Sequence, residues 1–437
     1  MAISRRSFLS SVSTVVTSAA LAAPLKSLYT QAAMGQSLLV EGFGPLQSDP
    51  EGLLDLPAGF QYRAFSQTGD RMSDGHPVPK NHDGMAAFNG PDGTTVLIRN
   101  HELSPDEKPA VIAPDAKKYD HLCSGGTTTL ILAPDRRLQQ DYTSLAGTCR
   151  NCAGGPTPWG TWISCEEDVS TPTNNTPGTP RNVSVKHGFN FEVPISGGLV
   201  GPIPLKAMGR FNHEAVAVDP NTGIVYQTED RGDGCFYRFI PHQYGNLQAG
   251  GTLEALVIKD QPTIDTSNRF PVGQPMAVEW IQIEDVDPEA DTLRFEAQAK
   301  GAAIFKRGEG TWFGNREVYW TCTSGGTAGE GQIFRYDPTN DTVELFVESA
   351  NRWMLDYPDN LTVAPFGDLM VCEDGWGEQF IVGITPKGEY YRFARNALNM
   401  SEFAGICFSP DYRTMFVNIQ RPGITLAIWG PWPSRTL

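Results

Sequence analysis

NHEAVAVDPNTGIVYQTED (residues 212–230) holds a strand, a turn and a returning strand. AVAV and IVYQT alternate as half-buried antiparallel strands do, and Asp219-Pro220-Asn221-Thr222-Gly223 supplies the turn chemistry between them. In an antiparallel hairpin the start of the first strand lies beside the end of the second. Glu214 and the pair Glu229-Asp230 therefore share one end of the unit.

The unit recurs. HDGMAAFNGPDGTTVLIRNHE (82–102) and PDNLTVAPFGDLMVCED (358–374) are clear copies. CAGGPTPWGTWISCEED (152–168), GEGTWFGNREVYWTCTSGG (308–326) and SEFAGICFSPDYRTMFVNIQ (401–420) are weaker ones. Further strands follow each hairpin, such as FYRFI (236–240) and LEALVI (253–258), and about four strands per repeat is a propeller blade. The predicted fold is all-β: a six-bladed β-propeller with loop insertions and a short helix in the insertion between 260 and 306. A Greek-key sandwich is the competing architecture, and it would scatter the polar ends. STPTNNTPGTPRNV (170–183) has nothing to bury and reads as a surface loop.

A chain of 437 residues with net charge −16 is repelled by nucleic acid and by anionic membrane surfaces. A small anionic substrate remains compatible if bound cations reverse the local sign. Ser4-Arg5-Arg6-Ser7-Phe8-Leu9 and the mild apolar stretch behind it have the twin-arginine signal pattern. Residues 1–33 are expected to be that signal, recognised by the twin-arginine export machinery, and 34–437 a single propeller domain. The expected location is periplasmic or secreted, with no stable membrane insertion and a monomeric state. Eight cysteines are too few for a disulfide scaffold. The lone Cys149-Arg150-Asn151-Cys152 reads as a local disulfide or two buried thiols.

The opening residues Asp83, Glu214, Glu309, Asp359-Asn360 and Glu402, and the closing groups Glu102, Cys165-Glu166-Glu167-Asp168, Glu229-Asp230 and Glu373-Asp374, would meet if the hairpins form a ring. Converging carboxylates either hold protons or bind hard cations such as calcium. A thiolate among them, read as Cys165, suits a transition metal such as iron. Arg307, two residues before Glu309, can reach the same mouth and grip phosphate oxygens. His101 and His213 precede Glu102 and Glu214, so strand alternation turns them away from the pocket. Serine-elbow, Walker and dinucleotide motifs are missing, which points to metal-activated oxygen chemistry.

Gly147 to Gly155 (GTCRNCAGG), running into Thr157 to Glu167 (TPWGTWISCEE), is similar to the signature of the PhoX-type alkaline phosphatases. RFNHE (210–214), TED (228–230), FKRGEG (305–310) and NIQRPG (418–423) extend the resemblance from about residue 45 to the C-terminus. It implies a twin-arginine-exported, six-bladed propeller that hydrolyses phosphate monoesters with ferric iron and calcium ions joined by an oxo group. A metal-bridging oxygen would be the nucleophile. By motif, Cys165 would bind iron, and Glu102, Glu166, Glu214, Glu309 and Glu373 or Asp374 would ligate iron or calcium. Glu192 would be a further calcium ligand, while Asn100 and Arg307 would hold the phosphate. The chain is shorter than the best-known members. The rival readings are a calcium-dependent lactonase or esterase, which needs neither thiolate nor phosphate-gripping arginine, and a non-catalytic propeller with structural calcium.

Overall fold

The computed structural model describes residues 39–173 and 182–433. The twin-arginine segment and most of the 170–183 loop lie outside the described residues. Within them the fold is mainly β and propeller-like, with one α-helix, Leu293–Ala299, in the expected insertion.

Sheets form in chain order from neighbouring antiparallel strands. The first contains His82–Asn89, Thr95–His101, Gly125–Leu132 and Leu138–Thr148. The second has three strands, Asn151–Pro156, Thr161–Glu166 and Asn190–Pro194, one fewer than the repeat predicts. Two further four-stranded units, opened by His213–Val218 and Gly308–Gly314, join into one sheet. Met276–Gln282 makes that join by pairing with both outer strands. Pro358–Val363 opens the next sheet, and Leu54–Pro57 extends its outer edge. Phe403–Phe408 opens the last, which Gln61–Phe65 from the start of the chain completes beside Ile424–Trp429.

The opening strands of these units neighbour one another in a closed circuit, 82–89 to 151–156, 213–218, 308–314, 358–363, 403–408 and back to 82–89. Sheets meet face to face through apolar layers. Trp320, for example, stacks on Phe236 at 4.0 Å between ring centres, and both are buried. Aromatic surface of this size is the main source of cohesion between sheets. Towards the middle there is no room for side chains between strands. A Cβ on Gly84 would lie 2.5 Å from Ala153 Cα, and one on Gly310 would lie 2.6 Å from the Asp359 carbonyl. These glycines directly follow Asp83 and Glu309, so close backbone approach brings the acidic residues together.

Candidate metal centre at the hairpin ends

The outermost regular pair in each opening hairpin is His82 with His101, Asn151 with Glu166, His213 with Glu229, Gly308 with Cys322, Pro358 with Glu373, or Phe403 with Ile419. Just inside it the ladder shifts register in the first five copies, and in the last copy one pair further in. A bulge frees the residue it contains from the pleat and re-aims its side chain. Asp83, Cys152, Glu214, Glu309 and Asp359 occupy that place.

Just outside the pair, the chain is tied by one more backbone bond. The amides of Glu102, Glu167, Asp230, Thr323, Asp374 and Gln420 donate to the carbonyls of Asn81, Arg150, Asn212, Arg307, Tyr357 and Glu402 respectively. Each hairpin thus presents three equivalent side chains at one end. Arg150 and Arg307 come from the same position, and both have left-handed backbone, φ +49° and +54°. A non-glycine residue there is strained and is tolerated where its side chain is needed. In the last copy Ala404 stands at that place but pairs regularly with Asn418, and Glu402 supplies a carboxylate from the arginine position.

The result is a field of carboxylates, buried at Asp83, Glu214 and Glu309 and partly exposed around them. Burial, then the charge of Glu102 and Asp359, pushes Asp83 well above the ordinary carboxylate range. Burial likewise raises Glu214, Glu309, Asp359 and Glu402, each with carboxylate neighbours adding to the effect. Glu167 is raised to about 7 by burial, with Arg150 opposing the shift. Arg150 Nη2 lies 2.6 Å from Glu102 Oε1 and also reaches Glu167. Arg307 donates from Nε to Asp230 Oδ1 (2.9 Å) and from Nη2 to Glu309 Oε1 (2.6 Å). Glu309, the dominant influence, holds Arg307 firmly protonated. Arg421 adds positive charge near Asp374.

These groups fit a metal centre. The ligand atoms of Cys152, Glu167 and Glu214 lie within 4.8 Å of one another, as do those of Glu214, Glu309 and Asp359. The two sets share Glu214, so two cations can sit side by side. Asp359 Oδ1 is buried without a hydrogen-bond partner, as an oxygen reserved for a cation would be.

Of the residues singled out in the sequence, Glu102, Glu214, Glu309, Asp374 and Arg307 belong to this cluster. Others are placed elsewhere. Cys165 lies within its strand, buried against Ile163, Met208 and Phe211, and Cys152 is the thiol that converges with carboxylates. Glu166 stands one residue too early. Its oxygens accept from the amides of Cys149, Gly188 and Phe189 and contact His187 Nδ1, so Glu167 is the residue that reaches the cluster. Glu373 is likewise the paired residue, accepting from the Asp356 amide, and burial raises it to about 8. Glu192 sits on the outer strand and accepts from Trp159 and Thr161. Asn100 donates to the carbonyls of Cys152 and Ala153 and accepts from Trp162 and Ser164. All its capacity is used, so it braces the Cys152 strand and has nothing left for phosphate.

His101 bonds the Lys80 carbonyl and Thr128, and His213 bonds the Gly209 carbonyl, both away from the carboxylates. All eight cysteines are buried and none is in a disulfide. Glu167 and Asp230 stand among the converging groups of the sequence but carry no assigned role there, and Cys152, Arg150 and Arg421 carry none either. Counting one residue outward from the last pair of each copy finds Glu167, Asp230 and Arg150, and one residue inward finds Cys152.

The sequence model of the family described as Alkaline phosphatase PhoX matches residues 41–140 and 124–423. No curated protein matches. Among solved structures, Pseudomonas fluorescens PhoX in complex with vanadate, a transition state analogue, superposes with a TM-score of 0.69 at 19% identity. The match covers 90% of this chain and 98% of that one. A gluconolactonase from Xanthomonas campestris gives a TM-score of 0.45 at 11% identity, over 89% of this chain and 98% of that one. The chain therefore belongs to the PhoX family of alkaline phosphatases, which are phosphomonoesterases.

Proposed function

We propose that the protein hydrolyses phosphate monoesters at the hairpin ends of a six-bladed propeller formed by residues 34–437. The observation that carries this is the pair of ligand sets sharing Glu214, with Arg307 beside them. Cys152, Glu167 and Glu214 would hold the softer ion, for which ferric iron is the family-based assignment. Glu214, Glu309 and Asp359 offer oxygen alone and suit calcium. When bound, such ions neutralise the phosphate charge and activate water for attack at phosphorus.

The chain's own residues do the rest. Asp230 and Glu309 fix two nitrogens of the Arg307 guanidinium, so its planar fork is set before substrate arrives. A preset cation at a developing phosphoryl charge costs no reorganisation in the transition state. Arg150 ties Glu102 to Glu167 and keeps those carboxylates from spreading apart. Arg307 is about one third exposed while Glu309 is nearly buried, so substrate meets the arginine at the mouth. Asp83, Glu214 and Glu309 below it are shielded from water.

Family membership favours this reading over a lactonase. Twin-arginine export to the periplasm or beyond is supported by Arg5-Arg6 and the stretch that follows. The test is p-nitrophenyl phosphate turnover by exported, full-length protein, with elemental analysis before and after chelation. Iron and calcium with chelator-sensitive turnover support the assignment. A metal-free protein, or one that hydrolyses lactones and no phosphoester, removes it.

A further inference from the structure

Asp120, Cys123 and His187 converge outside the carboxylate cluster, and the phosphatase chemistry uses none of them. Their ligand atoms lie within 4.8 Å of one another, and all three residues are buried. His187 Nε2 is 3.3 Å from Asp120 Oδ2 and 3.5 Å from Cys123 Sγ. The Cys149 thiol packs on that of Cys123, and Val183 covers both. On the other edge of the ring, His187 Nδ1 is 2.7 Å from Glu166 Oε1.

Carboxylates lie at both ring nitrogens, so the metal-free imidazole carries a proton on each. A cation between Asp120 and Cys123 would take the place of the Nε2 proton, while Glu166 keeps the Nδ1 proton and orients the ring. Tetrahedral bonds of about 2.0 Å to nitrogen and oxygen, and about 2.3 Å to sulfur, place nitrogen about 3.3 Å from oxygen and about 3.5 Å from sulfur. The two separations at Nε2 match these values.

We propose that Asp120, Cys123, Cys149 and His187 form a second metal site that takes one zinc ion. Two sulfurs, one imidazole and one carboxylate with no open position are the donor set of a structural zinc site. Binding releases the two thiol protons and the Nε2 proton of His187 to solvent. The ion would tie three segments together. Asp120 also accepts from the amides of Leu122, Ser184 and Val185, and Glu166 from those of Gly188 and Phe189. Cys149 precedes Arg150, so the zinc would also anchor the arginine that joins Glu102 to Glu167.

Zinc X-ray absorption on exported, full-length protein carrying its native metals tests this. The expected result is one zinc per chain with two sulfur neighbours at about 2.3 Å. The carboxylate cluster contributes one converging thiol, Cys152, so a two-sulfur shell distinguishes the sites. Cys123→Ser should lose the zinc or reduce its shell to one sulfur. Should that variant fail to fold, the sulfur count in the unaltered protein still decides. A shell of oxygen and nitrogen only, absence of zinc, or a Cys123–Cys149 disulfide in the mass spectrum overturns the proposal.

Discussion

Glu166 and Glu167 are adjacent in the chain and stand in opposite environments. Glu166 is surrounded by donors the protein has built for it, three amides and an imidazole. Glu167 looks onto Glu102 and Asp230, with Arg150 as counter-charge. The same division separates Glu229 from Asp230 and Glu373 from Asp374. Glu229 accepts from Tyr237 and the Cys235 amide, whereas Asp230 and Asp374 face the other carboxylates. The paired acids Glu166, Glu229 and Glu373 are held by protein groups, Glu229 with Arg294 as its ion-pair partner, and serve the fold. The neighbour of each, and the bulge residue across from it, are left for something that is not protein. One step along the backbone separates structure from chemistry.

The largest effect should come from the residue common to both ligand sets. Glu214→Gln is expected to lower kcat/KM for a phosphomonoester by about 10²–10³-fold, the scale of losing a dominant electrostatic group. Metal-stripped, the same variant should melt no lower than the unaltered protein, because a buried like charge has been removed. Activity within tenfold of the original would dissolve the distinction between the two kinds of position. Next come the two thiols. Cys152→Ser should change the bound metal and cost activity. Cys165→Ser should keep activity and lose about 1–3 kcal/mol of stability through an unpartnered buried hydroxyl, read as a lower Tm. The reverse pattern would restore Cys165 as the ligand.

The repeat itself is legible in the sequence, since turn chemistry and alternation recur with polar residues at both ends. Convergence of those ends follows from hairpin geometry alone. What pattern could not supply is the register, because a shift of one residue exchanges the faces. In CEED and in VCED the sequence offers neighbouring acids with nothing local to choose between them. The bulge that chooses is a backbone event set by the crowding of opening strands around Gly84, Gly310 and their equivalents. Cys152 was hidden for the same reason. It occupies the position held elsewhere by Asp83, Glu214, Glu309 and Asp359, but that copy has no acid there to mark it, and the CEED run draws the thiol assignment to the returning strand.

The smallest expected effect is a pH slope, and it separates the two kinds of position without any substitution. Glu167 at the cluster is raised to about 7, and the paired residues Glu229 and Glu373 to about 7 and about 8. An acid whose folded value lies above its unfolded value of 4.5 keeps its proton only in the folded state between the two. Stability from such a group is complete below about pH 4.5 and falls as pH rises through the folded value. Metal-stripped protein should therefore lose several degrees of Tm between pH 5 and pH 8. Saturating cation keeps Glu167 ionised when folded and removes its share of the slope, while Glu229 and Glu373 retain theirs behind their amide and hydroxyl donors. The slope should shrink with metal without vanishing, and Glu229→Gln should shrink it again, leaving the share of Glu373. Identical slopes with and without metal would mean that Glu167 is no more exposed to cations than Glu166.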